Sequence, residues 1–338
     1  MFGLWSEFLI MAVLVIISGI YLSKYGDVIA DKTGLGQALI GGILVALATS
    51  LPELVTNITS SLVGASNIAI GNVFGSNMFN FMIVAIADIL HGRSGPLMLK
   101  FRYSHLLSGL IGILLSAVVC FSIVVYSFTS ICFGIFNIGL DSILIVIIYF
   151  IGTRLIFRYE NKNPLDPVEQ RLQNRKKDTS LKKAAIVFTI TSIIIIFAGV
   201  KLTITGDKIA TVTGIDKTFI GSIMVAAATS LPELATIISA IKIDAYNLAI
   251  GNVMGSNIFN MFVIFFADIF YRPGYILASV SEVHMITAMI GIIMSTIALI
   301  GIFYRSKKTF LILGWDSLGI AVVYLIGVYL LFNLGIHI

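Results

Sequence analysis

The chain has 338 residues, of which 58% are hydrophobic and 12% charged, with a mean hydropathy of +1.03. Soluble domains carry about 25% charged residues, so this composition excludes a water-soluble globular protein and indicates an integral membrane protein. The net charge of +5 needs no nucleic-acid partner, because the basic residues concentrate between apolar runs, where membrane topology accounts for them.

In chain order, apolar segments are predicted near 6–23, 36–60, 67–90, 104–126 and 130–157. A polar stretch, 158–183, follows, and five more segments come near 184–203, 217–241, 247–270, 281–303 and 311–335. Runs of about 20 apolar residues argue for helices, since barrel strands would alternate polar and apolar side chains. The first run, Phe8 to Leu22, is preceded by Glu7 and not by a positive region, so it reads as a retained helix and not a leader. The predicted fold class is all-α: ten transmembrane helices in two sets of five, with domains 1–157 and 184–338 joined by a cytoplasmic linker, 158–183. That linker is too short for a folded sensing domain, and its basic cluster, Arg175 to Lys177 with Lys182 and Lys183, offers at most contact with lipid headgroups.

Placing the linker in the cytoplasm puts the N-terminus outside. Eighteen of the twenty-two basic residues then lie inside, leaving Lys201, Lys208, Lys217 and Arg272 outside. This asymmetry supports both the helix count and the orientation. An odd number of helices per half makes the second half enter the membrane from the opposite side, so the two halves are expected to be inverted repeats, the architecture of many secondary transporters.

The repeat is explicit in the residues. Thr49-Ser-Leu-Pro-Glu53 recurs as Thr229-Ser-Leu-Pro-Glu233, 180 positions on. The same offset aligns Gly71-Asn-Val-Phe-Gly-Ser-Asn77 and Asn80 with Gly251-Asn-Val-Met-Gly-Ser-Asn257 and Asn260, Asp27 with Asp207, and Asp88 with Asp268. An ionisable group at mid-membrane is a functional candidate by default, and Glu53 and Glu233 occupy matching positions. Proline cannot donate to the helix ladder and crowds the carbonyl four residues back. Pro52 is therefore expected to kink its helix and free carbonyls near Ala48 and Thr49, and Pro232 to repeat this. Thr49, Ser50 and Glu53 then share neighbouring faces of one turn, as do Thr229, Ser230 and Glu233. Asn72, Ser76 and Asn80, and likewise Asn252, Ser256 and Asn260, recur every four residues as polar stripes, beside glycines that permit close helix approach. So many hard oxygen ligands suit calcium or sodium better than zinc or copper.

Other polar residues have plainer readings. Asp88 and Asp268, near helix ends, suit a structural or access role, and Asp141 and Asp316 open helices as caps. His105 and His284 stand 179 apart and are candidates for proton sensing, with packing as the other reading. Cys120 and Cys132 read as packing residues. The triplet Asn57-Ile-Thr59 falls inside a predicted helix, which sets aside glycosylation.

The paired Thr-Ser-Leu-Pro-Glu and Gly-Asn-Val-x-Gly-Ser-Asn motifs resemble the alpha repeats of the cation/calcium exchanger superfamily, and within it prokaryotic sodium/calcium exchangers. The resemblance spans nearly the whole chain apart from 158–183. It implies a plasma-membrane antiporter that exchanges calcium for sodium by alternating access and needs no further cofactor. In this family Glu53 and Glu233 would bridge the central cation sites, and Thr49, Ser50, Thr229 and Ser230 would add hydroxyl or carbonyl oxygens. Ala46 and Ala226 would offer backbone carbonyls, and Ser76 and Ser256 would line outer sodium sites. The first and sixth helices would slide as a gate. One position departs: well-described sodium/calcium members carry an acid where this chain has Asn260, opposite the amide at Asn80. Two carboxylates neutralise one calcium, but they equally suit two monovalent ions or two protons. Proton-coupled exchange therefore stays open, and so does a cation channel. The helices carry no serine–histidine, paired-aspartate or histidine-rich arrangement, which argues against an intramembrane enzyme.

Overall fold

A computed structural model describes residues 1–33, 49–92, 95–129, 134–135, 138–162, 179–242, 244–310 and 312–337. Its helices are α1 (Phe2–Thr33), α2 (Leu51–Leu62), α3 (Ser66–His91), α4 (Ser104–Thr129), α5 (Leu140–Lys162), α6 (Leu181–Thr213), α7 (Lys217–Lys242), α8 (Tyr246–Phe270), α9 (Val283–Tyr304) and α10 (Trp315–His337). Among the described residues, all of these except the twelve-residue α2 are long and apolar enough to cross a membrane. Large apolar side chains such as Phe121, Phe150, Phe197, Phe303 and Leu325 are exposed on the outer helices, as contact with hydrocarbon requires.

Burial separates two classes of helix. The apolar windows of α3 and α8 are 72% and 67% buried, against 28% or less in α1, α5, α6 and α10. The helices that carry the Gly-Asn motifs are therefore the centre of the molecule. They pack on each other and on α2 and α7, while α1 and α6 lie side by side against the motif helices. Glycines make the central contacts possible. A Cβ at Gly75 would collide with the backbone of Ser222 on α7, and one at Gly221 would lie 2.7 Å from Ile68 O on α3.

Several boundaries differ from the sequence expectation. α1 and α6 run well past 23 and 203, so Lys24, Lys201 and Lys208 sit on helices and not in loops. Hydropathy registers contact with lipid, whereas the backbone ladder continues through polar turns. Ion pairs help here: Lys201 Nζ lies 3.7 Å from Glu7, and Lys217, at the start of α7, pairs with Asp207. The segment predicted from 130 begins as a helix only at Leu140, after a two-stranded hairpin, Gly134–Ile135 with Ile138–Gly139. A matching hairpin, Thr309–Phe310 with Leu313–Gly314, precedes α10, where a helix from 311 was expected. Both ends of the 158–183 stretch are helical, as α5 reaches Lys162 and α6 starts at Leu181. Its centre lies outside the described residues, as do Arg93 and Cys132.

Asp88 and Asp268 explain the hairpins. Both are fully buried, and each carboxylate accepts two backbone N–H groups. Asp88 takes Leu97 N (2.7 Å) and Gly314 N (2.9 Å), and Asp268 takes Ile276 N and Gly139 N (both 2.8 Å). Each carboxylate thus ties the hairpin before one repeat's last helix to the loop that follows the other repeat's central helix. Charge-assisted bonds of this kind are about twice as strong as neutral ones. The role is structural. Asp141 and Asp316 also serve their helix starts, accepting Ser142 N and Ser317 N.

Candidate functional site

The two Thr-Ser-Leu-Pro-Glu motifs lead into helices in different ways. In α2, Ser50 is the N-cap and Pro52 lies in the first turn, where a missing N–H is harmless. In α7 the helix is continuous through Pro232, and the irregularity lies upstream as a π-helical turn, Ile220–Val225, ending just before Ala226. The expected interruption is present at Pro52, where the helical conformation of Thr49 is broken by a turn at Ser50 before α2 begins at Leu51, whereas the matching interruption at Pro232 is not seen, so the expected symmetry is corrected. The π-turn is where Gly71 and Gly75 of α3 meet Ser222, so close backbone contact accompanies the distortion on α7.

Downstream, the site is symmetric. Ser230 Oγ donates to Glu53 Oε1 at 3.0 Å, and Ser50 Oγ donates to Glu233 Oε1 at 3.3 Å. Thr229 Oγ1 donates to Asn72 Oδ1 at 3.2 Å, and Thr49 Oγ1 to Asn252 Oδ1 at 3.3 Å. Each bond crosses between the halves of the chain and has its mate 180 positions away. Thr49 also lies 3.5 Å from Ser256 Oγ, and Thr229 donates to Ala226 O at 3.2 Å. The structure thus brings together Glu53, Glu233, Thr49, Thr229, Ser50, Ser230, Ser256 and Ala226, all with side chains at most 1% exposed. Ala46 lies outside the described residues.

A second layer orients the amides. Asn80 Nδ2 donates to Asn257 Oδ1 at 2.8 Å, and Asn260 Nδ2 to Asn77 Oδ1 at 3.0 Å. Asn77 and Asn257 also reach each other's backbone, with Asn77 Nδ2 on Asn257 O at 3.3 Å and Asn257 Nδ2 on Asn77 O at 3.5 Å. With their nitrogens committed, Asn80 and Asn260 keep Oδ1 without a hydrogen bond. Asn77 and Asn257 were not among the sequence candidates, although their register in the repeat was a usable signal.

Glu53 Oε2, Glu233 Oε2, Asn80 Oδ1, Asn260 Oδ1 and Ser76 Oγ are all buried without a partner. Ion pairs among the described residues join Lys201 to Glu7 and Lys217 to Asp207, and neither touches the site. Two buried carboxylates without a cationic partner are too costly to leave uncompensated. Carboxylate, amide and hydroxyl oxygens form a donor set for a hard cation.

His105 and His284 make a separate symmetric pair outside this cluster. His105 Nε2 meets Asn247 Oδ1 and His284 Nε2 meets Asn67 Oδ1, both at 3.2 Å. The same asparagine oxygens accept Arg102 N and Ser281 N. An oxygen already accepting a backbone N–H is well matched by an Nε2–H donor, so each ring is a clamp between α4 or α9 and the start of α8 or α3. Cys120 packs with its Sγ 4.0 Å from Met285 O.

A model of the sodium/calcium exchanger protein family matches residues 4–158 and 183–333. The chain belongs to the sodium/calcium exchanger family. It is 30% identical over 328 residues to the sodium/calcium exchanger MaX1 of Methanosarcina acetivorans, covering 88% of this chain and 87% of that one. It is 25% identical over 287 residues to the inner membrane protein YrbG of Escherichia coli K12, covering 79% and 82%. In structure it resembles the H+/Ca2+ exchanger CAX (TM-score 0.70, 14% identity, 99% of this chain and 86% of that one). It also resembles the sodium–calcium exchanger NCX_Mj (TM-score 0.60, 24% identity, 97% and 99%). Members of this family are membrane-spanning exchangers, so the chain is a multi-pass transporter of that class and not an enzyme.

Proposed function

We propose that the protein is an antiporter of the plasma membrane that exchanges calcium for sodium by alternating access. The observation that carries this reading is the pair Glu53 and Glu233, fully buried, unpaired with any described cation, each held at one oxygen by a serine of the opposite motif. Calcium would be held between the two carboxylates, with Thr49, Thr229, Ser50, Ser230 and the carbonyls of Ala46 and Ala226 completing the shell. Ser76, Ser256, Asn80 and Asn260 would contribute to sodium sites on the α3 and α8 side. Calcium accepts irregular shells of six to eight oxygens, which a site built from neutral donors around two carboxylates can supply.

In this reading 1–157 and 184–338 are inverted repeats around the site, the N-terminus is outside, and 158–183 is cytoplasmic. The α1 and α6 pair is the moving part. Gly19 on α1 lies against the ring of Pro232, and Ser23 Oγ meets Thr236 Oγ1 at 3.2 Å. Thr203 Oγ1 on α6 donates to Thr56 O at 3.5 Å. Small side chains and single hydroxyl contacts at these seams are compatible with sliding of one helix pair over the motif helices.

One observation favours a second reading in which protons replace sodium. Amides at both Asn80 and Asn260 leave the site with two carboxylates, and two protons can balance one departing calcium. Calcium uptake into proteoliposomes tests the site itself: Glu53→Gln and Glu233→Gln should each abolish exchange while the protein remains folded in the membrane. Normal uptake by both variants overturns the assignment.

A further inference from the structure

The duplication breaks down just beyond the carboxylates. On α2, Glu53, Thr56, Asn57, Ser60 and Ser61 recur at intervals of three and four, so they form a continuous stripe along one helix face. All five are at most 1% exposed. Thr56 Oγ1, Asn57 Oδ1, Ser60 Oγ and Ser61 Oγ have no hydrogen-bond partner, while Asn57 Nδ2 donates to Glu53 O at 2.8 Å. Some helical hydroxyls elsewhere in the chain return to the carbonyl four residues back, as Thr153, Thr191 and Thr236 do, while isolated ones such as Ser76 and Ser142 do not. Nor do Ser60 and Ser61.

The matching positions on α7 are Thr236, Ile237, Ala240 and Ile241, and the last three belong to an apolar core with Val253 and Met254. An apolar solution to this packing problem therefore exists within the same molecule. The first repeat instead keeps four unpaired oxygens, an arrangement that is costly in a membrane interior unless a passing polar species uses them. The stripe starts at Glu53 and ends at the turn between α2 and α3, with Val63 the C-cap of one helix and Ala65 the N-cap of the next, a climb of about 12 Å along the helix. Its opposite wall includes α6, where Thr203 Oγ1 reaches Thr56 O and a Cβ at Gly199 would stand 3.6 Å from Thr56 Oγ1.

We propose that this stripe is a one-sided polar path for the monovalent counter-ion, sodium or hydronium, between the bath at the Leu62 end of α2 and Glu53. Neutral oxygens one turn apart bind a monovalent cation weakly at several successive points, which is what passage requires. Calcium needs carboxylates to offset its dehydration, and the stripe has none beyond Glu53. The corresponding route along α7 is apolar, so counter-ion access is unequal at the two faces.

The proposal rests on the exchanger reading, and its test separates the two. The variant Asn57→Ile, Ser60→Ala, Ser61→Ile gives α2 the side chains of α7. Calcium flux is measured in membrane vesicles of both orientations while the sodium concentration, or in a parallel arm the pH, of the bath is varied. The expected result is a half-saturating sodium or hydronium concentration raised about tenfold, the scale of losing a buried polar partner, when the Leu62 end faces the titrated bath. No change is expected in the opposite orientation, and calcium half-saturation stays the same in both. The arm that shifts identifies which ion uses the path. Equal change at both faces, or none at either, overturns the proposal. If size-exclusion chromatography shows that the triple variant misfolds, the pair Ser60→Ala, Ser61→Ala, which removes hydroxyls alone, carries the same expectation. Wild-type protein without counter-ion-dependent flux overturns the exchanger reading, whereas active wild type with unchanged variants overturns the path.

Discussion

A cation site built from buried carboxylates should weaken the protein when no cation is bound, and Glu53→Gln measures this. Glu53 is 1% exposed, receives one hydroxyl bond from Ser230 and keeps Oε2 unpaired. The effective penalty for a buried ion is several kcal/mol, and a hydrogen bond to a charged group returns about 1.5–3 kcal/mol. Replacing the carboxylate by an amide of the same shape therefore gains roughly 2 kcal/mol in cation-free, alkaline buffer, a rise in melting temperature of about 3 °C for a chain of this length. Calcium should reverse the order. At one hundred times its dissociation constant it stabilises the wild type by about 2.7 kcal/mol, and it should leave the variant unchanged. Thermal unfolding of detergent-purified protein, with chelator and with calcium, reads both effects. A variant less stable than wild type in chelator, or one that calcium stabilises equally, refutes the reasoning.

Three other substitutions test the surrounding structure. Gly75→Ala drives a Cβ into the backbone of Ser222, and the overpacking should cost about 1–3 kcal/mol, visible as a lower melting temperature. An unchanged midpoint would mean that α3 and the π-turn of α7 are not in contact. Asp268→Asn leaves one of its two backbone donors, Gly139 N or Ile276 N, facing an amide nitrogen, a loss of about 1–3 kcal/mol. Hydrogen exchange at those two amides should accelerate, and exchange at wild-type rates would remove the structural role. Asn260→Asp deletes the donor to Asn77 Oδ1 and adds a third carboxylate, so the cation-free protein should be about 1–3 kcal/mol less stable. Sodium should restore more stability to this variant than to wild type, and equal stabilisation by sodium would contradict the placement of residue 260 in the site.

The motifs were legible in the sequence because a carboxylate in an apolar run is conspicuous, and a second copy in register makes coincidence untenable. The register matched Thr49 with Thr229 and Asn72 with Asn252, but that each threonine bonds the asparagine of the opposite half, Thr49 to Asn252 and Thr229 to Asn72, is seen only in the fold. The difference between the two prolines was not legible, since Thr-Ser-Leu-Pro-Glu is identical in both halves and what differs is the π-turn upstream, where Ser222 meets Gly75. The extra length of α1 and α6 escaped because polar residues such as Lys201 and Asp207 mimic a loop until their partners, Glu7 and Lys217, are seen. The hairpins before α5 and α10 depend on Asp268 and Asp88, which lie far away in sequence. The polar stripe on α2 could have been found by comparing the halves for difference as well as identity, because Asn57, Ser60 and Ser61 face Ile237, Ala240 and Ile241 in the alignment.

The central claim is calcium transport coupled to sodium. Radiolabelled calcium uptake into proteoliposomes of the purified protein, driven by an outward sodium gradient or by an outward proton gradient at clamped voltage, tests it most directly. The account predicts uptake with the sodium gradient and none with the proton gradient, so that two carboxylates and two amides suffice for sodium coupling. Uptake driven by protons alone would contradict it and make Glu53 and Glu233 the proton carriers.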